Sequence, residues 1–80
     1  MFDEVFALTY LPIGRKAQVI KVGTEGLIRN RLLDLGLVPS TIVEAIRKSP
    51  AGDPIAYRIR GAVIALRSEE SRQIQVRSID

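Results

Sequence analysis

Hydrophobic and polar positions change period several times along the chain. Ala17 to Val22 is a short β-branched run and predicts a strand, after a lead-in turn at Tyr10-Leu11-Pro12-Ile13-Gly14. Gly23 ends that strand. Thr24 then stands where a helix N-cap is expected, with Glu25 in the first turn. Leu27 to Leu35 reads as helix: at 100° per residue Ile28, Leu32 and Leu35 share one apolar face, and Leu33 points nearly opposite. Gly36 is placed as a left-handed C′ residue, Leu37 makes the hydrophobic cap contact, and Pro39 prevents continuation.

Thr41 to Lys48 predicts a second strand, and Ser49-Pro50-Ala51-Gly52-Asp53-Pro54 a loop. Ile55 to Arg60 alternates with Ile55, Tyr57 and Ile59 on one side. After Gly61, Ala62 to Arg67 forms a fourth strand that is apolar on both faces. Ser68 is placed to cap one turn through Glu69, Glu70 and Ser71. Ile74 to Ile79 closes the chain as a fifth strand, with Ile74 and Val76 inward. About five short strands and one helix, between the first and second strands, predict a mainly β fold: a small closed or nearly closed barrel of SH3-like type. A five-stranded OB-fold competes, but its helix usually falls between the third and fourth strands, where this chain has only Gly61. The expected core is Ile28, Leu32, Leu35, Ile55, Ile59, Ile64, Leu66 and Val76.

Composition narrows the functional classes. Eighty residues predict one domain spanning 1–80. The absence of Cys and His removes disulfides, thiolate and imidazole metal sites, Cys nucleophiles and His-based triads. The paired acids Asp3-Glu4 and Glu69-Glu70 diverge on a strand or helix, and Gly23-Thr24-Glu25-Gly26 lacks the Lys and spacing of a phosphate loop. No metal, cofactor or enzyme activity is therefore expected. The net charge of +3, with Arg as the main cation, is a mild field. Arg58, Arg60 and Arg77 fall on outward positions by alternation, as a solvated wall or a docking surface. Nucleic acid is disfavoured as a partner, because aromatics are only 5% of the chain and stacking platforms are wanting. Met1 to Phe6 carries acid where a signal peptide needs base, and no apolar run approaches the ~18 residues of a membrane span. The expected location is cytoplasmic.

Arg31-Leu32-Leu33-Asp34-Leu35-Gly36-Leu37 with Pro39, then Gly52-Asp53-Pro54, Arg60-Gly61, and Ile64-Ala65-Leu66-Arg67 with Glu70, together resemble the FeoA family, ferrous iron transport protein A, from Leu8 to Val76. Ser40 and Ser71 depart from it, where the family has Gly and often Ala. The resemblance implies a small cytosolic SH3-like accessory domain that assists a membrane ferrous-iron permease carrying a cytosolic GTPase domain, with recruitment to the inner face of the membrane. It supplies no catalytic residue. The same domain type ends iron-dependent repressors, so a small-barrel regulatory or nucleic-acid-binding domain is the alternative; the sequence shows no helix-turn-helix part. The expected contacts with the GTPase domain lie on the helix, at Arg29 and Leu33, and on the loop after the second predicted strand, at Pro50, Gly52 and Asp53.

Overall fold

The computed structural model describes residues 4–23 and 25–79. Six strands form one antiparallel sheet: β1 Val5–Ala7, β2 Lys16–Val22, β3 Ile42–Lys48, β4 Ile55–Ile59, β5 Ala62–Leu66 and β6 Ile74–Ser78. Helix α1, Gly26–Asp34, joins β2 to β3, and the one-turn α2, Ser68–Ser71, joins β5 to β6. The strand order is β1-β6-β2-β3-β4-β5. The sheet is not closed, so β1 and β5 are its edges. Register shifts between Val19 and Lys21 in β2, and between Ala45 and Arg47 in β3, add local bend and twist to the curled sheet.

The expected fold is present with one strand more than the pattern predicts. β1 has three residues, too few to display an alternation, yet it pairs along its length with β6. A 3-10 turn at Leu8–Tyr10 follows it and buries Leu8. Counted with β1, the helix lies between the second and third strands.

The core gathers the inward residues of the strands: Ala17, Val19 and Val22; Val43 and Ala45; Ile55, Tyr57 and Ile59; Leu66; Ile74 and Val76. Five of the eight expected core residues, Leu32, Ile55, Ile59, Leu66 and Val76, are buried in it, and Leu35 and Ile64 pack against it partly exposed. Ile28 does not join them; it is 44% exposed. The cause is how the helix docks. Leu32 is the only buried residue of α1, and Leu37, just past its end, is also buried. The turn between them is a Schellman motif: the Leu37 N–H donates to the Leu32 carbonyl at 3.0 Å, and the Gly36 N–H to that of Leu33 at 2.9 Å. Gly36 has φ +100, which lets the chain reverse and carry Leu37 inward. The C-terminal half of α1 is thereby pinned, and its first turn projects.

Candidate functional site

The projecting turn of α1 is the clearest exposed apolar feature of the helix. Leu27 is 86% exposed beside the half-exposed Ile28. Arg29 and Arg31 follow on exposed positions. Glu25 occupies the N-cap position without a side-chain cap bond; Thr24, the expected cap, lies outside the described residues, as does Asp3. Leu33, the expected apolar contact, is half-buried and packs against the core. Leu27 and Ile28 were not anticipated as contacts. The sequence carries no signal for them, because a helical stripe shows which residues share a face and not which turn of α1 meets the sheet.

In the loop 49–54, Pro50 and Gly52 are exposed and Asp53 is half-buried. The loop is closed by its own hydrogen bonds. Gly52 N–H donates to the Ser49 carbonyl at 2.8 Å, Ser49 N–H to that of Pro54 at 3.1 Å, and Ser49 Oγ to that of Asp53 at 2.8 Å. Asp53 Oδ1 accepts the Ser68 N–H at 2.8 Å. It thus caps α2 from a distant loop, where local capping by Ser68 was expected; the N-cap position is Arg67. Glu70 completes the joint: it accepts the Arg67 N–H at 3.0 Å and forms an ion pair with Arg31 of α1. The helix and the loop are therefore each tied to α2, one through Arg31 and the other through Asp53. Ser49 and Pro54 also line a shallow concavity of about 180 Å³ with Arg47, Ala56 and Ala65.

Elsewhere, Val38 to Ile42 and Arg60 border an open concavity of about 380 Å³. None of the five expected contact residues lines it. Arg58 is exposed and paired with Glu44 at 3.0 Å; Arg60 is exposed. Arg77 is half-buried beside β1, with its Nε buried and unpartnered, so the expected outward arginine is partly covered by the unanticipated strand.

Among the described residues no three acidic side chains come together as metal ligands, and no helix is long and apolar enough to cross a membrane. Burial pushes the Tyr57 phenol above its ordinary pKa, an effect reinforced by the negative charge of Asp53 and opposed by a hydrogen bond with Ser71. Its hydroxyl also reaches the Leu8 carbonyl at 3.4 Å. This is a structural tyrosine at the centre of the core. The arrangement offers an apolar and basic projection and a braced loop, which suits recognition.

The profile of the FeoA domain matches residues 6–78. A Porphyromonas gingivalis protein described as a Fe(2+) transport protein A/Fe(2+) transporter FeoB fusion is 32% identical over 72 residues, which cover 90% of this chain and 8% of that protein. The chain therefore spans less than a tenth of that relative's length. The solution structure of a FeoA-like protein from Clostridium acetobutylicum superposes with a TM-score of 0.89 at 34% identity, covering 100% of this chain and 92% of the other. The zinc-complexed FeoA of Stenotrophomonas maltophilia, described as an SH3 domain protein, superposes at 0.80 with 29% identity, covering 89% and 88%.

Proposed function

The chain belongs to the FeoA domain family, and on that footing we propose that it is an accessory protein of ferrous iron uptake that docks on the cytosolic GTPase domain of a membrane iron permease. The observation that carries this reading is the fusion of an A-type and a FeoB segment in one Porphyromonas gingivalis chain, which supports association between the separate proteins. A covalent link makes encounter intramolecular and raises the effective concentration of a weak pair.

The docking surface is the first turn of α1 together with the loop 49–54. Leu27 and Ile28 supply the apolar contact, and Arg29 supplies charge toward an acidic partner. Pro50 and Gly52 lie at the exposed loop tip. Leu33 and Asp53 act from beneath, Leu33 by seating the helix on the core and Asp53 by holding the loop to α2. The patch is small, below roughly 1,200 Å² in total, so the complex is transient and weakens with salt. Leu27→Asp tests it, with circular dichroism confirming the fold. The residue is almost fully exposed, so the fold is retained, and affinity for the isolated GTPase domain falls by at least about tenfold. Unchanged binding by the folded variant would remove α1 from the interface.

A further inference from the structure

The two edges of the sheet are not equally protected. β1 is three residues long, and a very short edge strand offers little template for pairing. β5 is different. Ala62-Val63-Ile64-Ala65-Leu66 contains no charge and no proline, and its register with β4 runs without a shift from Ile59↔Ala62 to Ile55↔Leu66. Lysines, prolines and bulges are the usual defences of an edge, and β5 has none of them. Neither is it covered, since Val63 is 53% exposed and Ala62 and Ala65 are exposed.

The hairpin fixes which backbone groups this edge offers. Arg60 and Gly61, with φ of 52° and 84°, form the two-residue turn between β4 and β5. Such a turn closes on a hydrogen-bonded pair, here Ile59↔Ala62. Bonded and non-bonded pairs alternate along an antiparallel ladder, so Ile64 and Leu66 also bond to β4. Val63 and Ala65 then aim their N–H and C=O groups away from the sheet.

We propose that β5 pairs edge to edge with β5 of a second copy of this chain, antiparallel about a two-fold axis at Ile64. In that register Val63 faces the partner's Ala65, and each pair exchanges two hydrogen bonds, four in all. The side chains match in size: Val63 lies across from the partner's Ala65, and Ala62 across from the partner's Leu66. The two Ile64 residues form the central, closely spaced non-bonded pair. The ends match in charge. Arg60 precedes β5 and Glu69 follows it, both exposed and neither in an ion pair among the described residues. The two-fold sets the β4–β5 turn, which carries Arg60, at the end of the partner's β5, where α2 begins and carries Glu69. Two short edges bury well under roughly 1,200 Å², so the dimer is weak and concentration-dependent.

Sedimentation equilibrium between 10 µM and 1 mM, with amide hydrogen exchange on the same samples, tests this. The expected result is a shift from monomer toward dimer mass, with protection rising at Val63 and Ala65. Val63→Lys keeps the backbone N–H, puts a cation on the edge, and weakens dimerisation at least about tenfold. Val63→Pro does the same by deleting an N–H that β4 does not use. If the proline variant fails to fold, the lysine variant decides. A monomer at 1 mM, a dimer insensitive to Val63→Lys, or protection that rises elsewhere overturns the proposal. So does protection of Val63 and Ala65 that appears only when the GTPase domain is added, because a partner strand then occupies the edge.

Discussion

Tyr57 and Gly36 show how single residues set the frame that carries α1 and the loop 49–54. At Gly36 the φ of +100 strains any side chain, and a Cβ there would also lie 3.0 Å from Cδ of Arg60, whose flexible side chain would have to give way. Tyr57 fills the centre of the core with a hydroxyl whose ionised form burial disfavours. Its pKa is higher in the folded chain than in the unfolded one. The resulting stabilisation is fully present below the ordinary phenol pKa of 10.0 and is lost as pH rises through the folded value, because the unfolded chain releases that proton first. Urea midpoints are therefore expected to fall steeply above about pH 10, and less steeply in Tyr57→Phe. Equal alkaline slopes in the two proteins would mean that the phenol is not what titrates.

Among the elements, the four-residue α2 has an importance out of proportion to its length, because it is where α1 and the loop 49–54 are both fastened. Asp53→Ala removes the acceptor for the Ser68 N–H and is expected to lower unfolding free energy by about 0.5–2 kcal/mol, the usual range for a lost cap. Asp53→Asn keeps an acceptor oxygen and is expected to recover most of that loss. Chemical denaturation of both variants checks this, and an Asp53→Ala protein as stable as its parent would show that the cap contributes nothing. This joint was not legible in the sequence, although Asp53, Arg31 and Glu70 all stand in the motifs that carry the family resemblance. Hydrogen bonds and ion pairs between distant segments leave no period to read. What was legible followed a period or a local signature: the alternation of Ile55, Tyr57 and Ile59, and the glycine–leucine ending of α1. Ile28 was misplaced for a related reason. The helical stripe says which residues share a face but not how far along its length the helix meets the sheet. β1 escaped because three residues cannot display a pattern.

At the scale of the whole molecule, the Cα radius of gyration is 11.3 Å, close to the roughly 11.6 Å expected for a compact chain of this length. The inward face of the sheet is committed to the core, which leaves the loops and helix ends as the segments free to meet a partner. The sheet places α1 and the loop 49–54 as two projections braced through one short helix, and the proposed docking rests on that placement. Its most direct test is an amide chemical-shift map of this protein titrated with the permease GTPase domain. Perturbations are expected to concentrate at residues 26–33 and 49–54 and to diminish as salt is raised. Perturbations confined to the outer face of β3, β4 and β5, or none at millimolar concentration, would contradict it.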